Sequence, residues 1–447
     1  MCVITGMCIF ALLTAIAMES LLHYTWKHRM FPLGILKTTD GRVVEVINPG
    51  RHNTDAGPDF LDARLRIGDT LWAGTVEIHQ RSSDWFRHHH EVDGAYDGVI
   101  LHVAEVIDAD VVTSGGNRPP QLQLSVPQSV RDNYESLSRS DSHPHCRAIL
   151  HSVPDLHITS WLSALSVERL EQRTCQLMER RNRCNLDWEM TAFVTLARTF
   201  GFGKNSDTFE RWALSIPQSA ISKHRDDLFQ IEALFFGMAG LLNDGGVDVD
   251  YYLRLQNEWN YLRRKFSLHG INSVEWKLLR MRPHNFPYTR LAQLALIYHE
   301  GSMNLARMLN TPSLDGLYQL LDTAVSPFWQ THYTFTSPPS ARRSGQISDA
   351  SKRLVVLNCI IPLLFAYGRY KSNEHLTERA LALLEQLPPE SNNIVKQWEQ
   401  AGIVAKSAAD TQALYWLTNH YCEAKDCMRC RFGYEYIRHN PQFLKEE

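Results

Sequence analysis

Residues 58–79 read PDFLDARLRIGDTLWAGTVEIH, and this stretch decides how the first part of the chain folds. Two runs rich in apolar and β-branched residues, 60–67 and 71–79, read as strands punctuated by the Gly68-Asp69 pair, a turn signal. Side chains alternate along a strand, so Glu77 and His79 share one face while Val76 and Ile78 take the other. Pro58-Asp59 opens the preceding strand and brings a second carboxylate beside Glu77. Two carboxylates so placed make a hard-oxygen site for Mg2+ or Mn2+. Such an ion lowers the pKa of a bound water and neutralises charge developing on a phosphoryl group. The competing reading makes Asp59 the cap of a turn in AGPDF and Glu77 a solvated strand position.

Working outward, residues 18–30 (MESLLHYTWKHRM) have helical amphipathicity, and 42–47 and 98–106 read as further strands, with a short helix near 82–90. The resulting order, αβββαβ, resembles the core of the PD-(D/E)XK nuclease superfamily. That resemblance implies a metal-dependent nuclease or phosphodiesterase acting on nucleic acid, with Asp59 and Glu77 as metal ligands. His79 stands where the superfamily carries lysine. An imidazole lacks the lysine's permanent charge, but it can orient a water or ligate a metal itself. His102 lies inside the apolar run VILHVAEV, where a polar ring needs a partner, and joins the catalytic candidates. His88, His89 and His90 fall within reach of His79 and His102 and could bind a transition metal. The Gly- and Pro-rich loop 48–59 offers Arg51 and Asn53 to a substrate. Ser83 or Asp84 suits an N-cap. Glu19 reads as an acid complementing the first helix's dipole.

Beyond residue 150 the period becomes helical: 158–183, 188–200, 228–242, 251–266, 291–309, 353–367, 376–387 and 411–421. Residues 326–348, rich in Ser, Pro and Thr, read as a long loop. The segment RMRPHNFPYTR (280–290) cannot be regular helix through its two prolines. Its Arg282, Asn285 and Arg290, set among aromatics, suit phosphate and unpaired bases. The fold class is therefore an α+β domain (18–148) followed by a mostly α-helical domain (149–418) and a cysteine-bearing tail (419–447). Residues 3–17 form an uncharged run too short to span a bilayer and without a basic flank, so Met18 reads as the start and 1–17 as an extension, the alternative being a lipoprotein-like or anchored N-terminus.

The tail carries Cys422-x4-Cys427-x2-Cys430, thiolate spacing that needs a fourth ligand: His420, His439 or Cys146. Zn2+ and a [4Fe-4S] cluster both suit such ligands, and one distant Cys with three clustered ones is similar to the iron–sulfur staple of some PD-(D/E)XK nucleases. Cys175, Cys184 and Cys359 read as small core residues. In all, 9 Cys in 447 residues are too few for a disulfide scaffold, which points to reduced thiols and a cytoplasmic protein. A net charge of −3 gives no global polyanion signal, and beyond 3–17 we expect no membrane-spanning segment.

The segments NTDAGPDFLDARLRI, WAGTVEIHQRSSDW, YDGVILHVAEV, WLSALSVERLEQR, GFGKNSDTFERWA and RMRPHNFPYTRLAQLA, with the terminal CxxxxCxxC, resemble in order the bacterial family catalogued as domain of unknown function 2851. The resemblance implies an identity without an activity. A catalytically inactive nuclease fold that binds nucleic acid or acts as a scaffold is the alternative to the enzyme.

Overall fold

Helix α1 (18–27) begins the part of the chain that the computed structural model describes, namely residues 18–32, 34–53, 55–341 and 345–439. The apolar run 3–17 lies outside the described residues. The chain divides into two units. One runs to Pro154 and resumes at Asn419; the other is Asp155–Thr418. The cysteine-bearing tail is thus part of the first unit.

The first unit holds strands β1 (Val44–Asn48), β2 (Arg51–His52), β3 (Phe60–Ile67), β4 (Thr70–Arg81), β5 (Val99–Val106) and β6 (Gln121–Gln123). They form a mixed sheet in the order β1-β3-β4-β5-β6, with β2 beside β3. β1, β2 and β4 run antiparallel to β3, whereas β4–β5 and β5–β6 are parallel. The two expected strands form a hairpin, with Ile67 paired to Thr70 across the Gly68-Asp69 turn. A bulge between Phe60 and Ala63, with Asp62 at φ 60, re-aims the start of β3. On β4 the exposed half, Thr70–Ala73, gives way to four consecutive buried residues, Val76 to His79.

The helix expected near 82–90 is only a single turn, α2 (Asp84–Arg87). It stops because His89 adopts the left-handed conformation, φ 61 and ψ 31, before a 3-10 turn at His90–Val92. Trp85 is fully buried beneath it and donates its indole N–H to the Val112 carbonyl at 2.9 Å. Helix α3 (Gln128–Arg139) packs against the C-terminal helix Arg431–Arg438. Asn133 Nδ2 donates to the carbonyls of Ile437 and His439 at 3.1 and 3.2 Å.

The second unit is helical. Its principal helices include Asp155–Arg183, Trp188–Phe200, Leu228–Met238, Asp250–Phe266, Pro287–Glu300 and Glu374–Gln386. The single helix expected over 291–309 breaks at Gly301, whose φ of 61 supplies a left-handed C-cap, and restarts at Leu305. The pattern at 353–367 becomes one stretch, Asp349–Tyr370, with a π turn at Val356–Ile360. Against expectation, this stretch is long and apolar enough to cross a membrane. Most of it is buried in the unit's own core, where Val355, Val356, Ile360, Ile361 and Leu364 are fully covered. The core also holds aromatic pairs, with Trp212 edge-on to Phe235 at 4.9 Å and Phe236 stacked on Trp329 at 4.9 Å.

Candidate metal centre

Glu77 and His79, two apart on β4, do share a face, and both are buried, 4% and 1% exposed. Glu77 Oε1 lies 3.5 Å from His79 Nε2 and 3.3 Å from His90 Nε2. His88 Nδ1 lies 3.2 Å from the same His79 nitrogen. The ligand atoms of His79, His88 and His90 all fall within 4.8 Å of one another. Donors bound tetrahedrally at ordinary metal–nitrogen distances stand about 3.3 Å apart, so these edges have the spacing of one coordination shell. The left-handed turn at His89 makes the convergence possible. It reverses the chain between His88 and His90 and leaves His89 itself outside, with its side chain 78% exposed.

Around these donors the support is aromatic. His90 stacks on Tyr96 at 3.7 Å, and Trp85 stands edge-on to His90 and His102, each at 5.3 Å. His102 is fully buried on β5, the parallel neighbour of β4, and its register partner is Glu77. Its Nε2 lies 3.0 Å from His79 Nδ1. If His79 Nε2 faces a metal, Nδ1 carries the proton and His102 accepts it.

Asp59 and Glu77 come together as the spacing implies, but each spends one oxygen on main chain. The Asp59 N–H donates to Glu77 Oε2 at 3.0 Å, and the Ile78 N–H donates to Asp59 Oδ2 at 2.9 Å. Helix α1 adds His23, whose Nε2 sits 3.3 Å from Asp59 Oδ2 and 3.4 Å from the Ile78 carbonyl.

The electrostatics follow from burial. Burial, then the Asp59 charge, pushes Glu77 up to about 9. Burial, then the neighbouring imidazoles, pulls His79 down to about 2, and burial pulls His102 down to about 3. Neutral imidazoles around a carboxyl that resists ionisation make a donor set that a dication would complete. His23 behaves differently. Burial opposes its charge, but the hydrogen bond and charge of Asp59, aided by Glu19, outweigh burial and hold its pKa above the ordinary range.

Of the remaining sequence candidates, Arg51 is largely exposed, with Asp62 at 3.9 Å. Asn53 organises its own loop, donating to the Ala56 and Pro58 carbonyls and accepting from Asp55 N–H. In the second unit the reading of 280–290 needs correction. Arg282 is exposed, but Arg290 is 2% exposed. Its guanidinium lies over the Phe202 ring at 4.3 Å and donates to Asn285, Gln293 and Ser351. Arg290 and Asn285 therefore brace the loop from within.

Sequence reasoning missed His23 as a partner of Asp59 and assigned Glu19 to the helix dipole. Glu19 feels the charges of His23, Asp59 and His88, which places it beside the cluster. The available signal was the spacing Glu19-x3-His23, which puts both on one face of α1.

The fold and this cluster define an α+β unit with a histidine–carboxylate centre on a mixed sheet, followed in sequence by a helical unit. The chain belongs to the family described as protein of unknown function (DUF2851), whose model matches residues 19–393. No curated protein matches the chain, and no solved structure does.

Proposed function

We propose that the first unit is a metal-dependent hydrolase of phosphodiester bonds in nucleic acid, built on a PD-(D/E)XK-like frame. The observation that carries the reading is the convergence of His79, His88 and His90, with Glu77 Oε1 against His79 Nε2 and His90 Nε2, next to Asp59. Three imidazoles and one carboxylate favour Mn2+, Zn2+ or a similar transition ion over Mg2+. Such an ion, when bound, supplies a polarised water and a Lewis acid for the phosphoryl oxygen. The chain's own residues supply the rest. His102 fixes the ring of His79, and Asp59 fixes His23. His23, whose proton affinity that carboxylate raises, stands where it can offer the positive charge that the lysine of an ExK strand would give. The role of cation thus passes from the strand to α1.

The test is a cleavage assay on single- and double-stranded DNA and RNA with Mn2+, Zn2+ and Mg2+ in turn. Wild-type protein cuts at least one substrate, and Glu77→Ala and His90→Ala reduce cleavage to background. His23→Ala lowers turnover about 100-fold, and His23→Lys restores much of it. No cleavage above the Glu77→Ala control in any combination overturns the enzyme. Salt-dependent nucleic-acid binding without turnover would then assign the inactive-scaffold alternative.

A further inference from the structure

Two segments far apart in the chain bring four cysteines of the first unit into one neighbourhood. Cys146, Cys422, Cys427 and Cys430 are all buried, between 6% and 8% exposed, and none is in a disulfide. Cys422, Cys427 and Cys430 each act electrostatically on Cys146, and Cys427 and Cys430 do so on Cys422. Main-chain geometry brings them there. His145, next to Cys146, lies with its Nε2 3.1 Å from the Cys422 carbonyl oxygen, 277 residues along the chain. A 3-10 turn at Cys427–Arg429 leads into Cys430, which caps the helix Arg431–Arg438. Gly433 of that helix sits so close to Cys427 that a Cβ there would meet the Cys427 carbonyl oxygen at 2.0 Å.

Buried thiols are common one at a time, as small core residues. Four drawn from two distant segments, three of them on a tight Cys-x4-Cys-x2-Cys turn, have the composition of a thiolate ligand set. We propose that Cys146, Cys422, Cys427 and Cys430 form a tetrathiolate metal centre, closed to substrate, that clasps the C-terminal helix onto the first unit. Loading forms four sulfur–metal bonds and releases the four S–H protons to solvent. Zinc and an iron–sulfur cluster share this thiolate chemistry, and the experiment separates them.

The clasp has a route to the histidine cluster inside the same unit. Tyr434, one turn beyond Cys430, packs on His28 at 4.7 Å, and His28 packs on Tyr24 of α1 at 4.4 Å. Helix α1 also carries His23, the partner of Asp59. Holding the C-terminal helix therefore holds one end of α1.

The test needs no enzymatic activity and does not depend on the proposed hydrolase. Full-length protein prepared anaerobically is analysed for metal and sulfide alongside Cys146→Ser, Cys427→Ser and His90→Ala. The wild type is expected to hold one equivalent of zinc at the thiolates, beyond any metal at the histidine cluster, or iron with acid-labile sulfide and visible absorption. That metal disappears from both Cys variants and persists in His90→Ala. Should either Cys variant fail to fold, cobalt replaces the metal in wild-type protein, and intense near-ultraviolet sulfur-to-cobalt charge transfer is expected. Metal content unchanged by the Cys substitutions, a cobalt spectrum without sulfur bands, or two disulfides found by mass under non-reducing conditions would overturn the proposal.

Discussion

His102 has one nitrogen 3.0 Å from His79, and its other, Nδ1, is buried without a hydrogen-bond partner in the structure. That arrangement orients another ring at the expense of an unsatisfied polar atom. His102→Ala is expected to weaken metal binding at the histidine cluster about 10- to 100-fold, the usual effect of losing such support. Competition with a chelator measures it. His102→Gln, which can place an acceptor where Nε2 was, should recover most of the loss; equal weakening by Gln and Ala would mean that His102 only fills space. Arg290 is the opposite case. Its neighbours Arg282, Pro283, Asn285 and Pro287 spell a polar loop, yet Phe202 draws the guanidinium inward by a cation–π contact that no local pattern announces.

Strand β4 carries the site, and its close approach to β5 depends on Gly74. A Cβ there would lie 2.5 Å from Ile100 Cγ2 and 2.9 Å from the Gly98 carbonyl oxygen. Gly74→Ala is expected to destabilise the first unit by about 1–3 kcal/mol, the range for overpacking, read from urea unfolding of the sheet signal. An unchanged midpoint would show that the strands part without cost. Much of this element was legible in sequence. Alternation placed Glu77 and His79 on one face, and the Gly68-Asp69 pair marked the turn between the two strands. What alternation cannot encode is convergence from elsewhere. His88 and His90 meet His79 only because a non-glycine residue, His89, turns left-handed, and His23 arrives by tertiary packing of α1. Helix extents followed the apolar period in the second unit until backbone chemistry intervened, as at Gly301. The nuclease identity of the sheet stays a proposal, since the order of strands is shared more widely than any one chemistry.

At the scale of the whole molecule the two units answer pH from opposite sides below about 6.5. In metal-free protein, His79 and His102 are pulled from the ordinary 6.5 to about 2 and about 3. Below pH about 6.5 the unfolded chain binds protons that these two folded rings refuse, which costs up to about 1.4 kcal/mol per pH unit for each ring as pH falls. Glu77, pushed up to about 9 in the same unit, offsets one ring between about 4.5 and 6.5, so the first unit still loses stability as pH falls there. Glu232 in the second unit is 2% exposed and accepts hydrogen bonds from Tyr251 and Ser326. Burial raises it from 4.5 to about 7. Its contribution is whole below about 4.5 and is lost as pH rises through about 7, a change on the order of 3 kcal/mol. Hydrogen exchange resolved by segment should show these opposite slopes, and Glu232→Gln should flatten the second one. A Glu232→Gln protein with the parent's pH slope would refute the assignment.

The return of the chain to its first unit also sets an order of events on the ribosome. The carbonyl of Ile437 that Asn133 grips is made 304 residues after it. At common elongation rates that is a wait of roughly 15–60 s. Throughout it, the nascent sheet must keep the bare flank of α3 from foreign partners. A product released before Asn419 never receives its cover, and such fragments should be prompt prey for quality-control proteases.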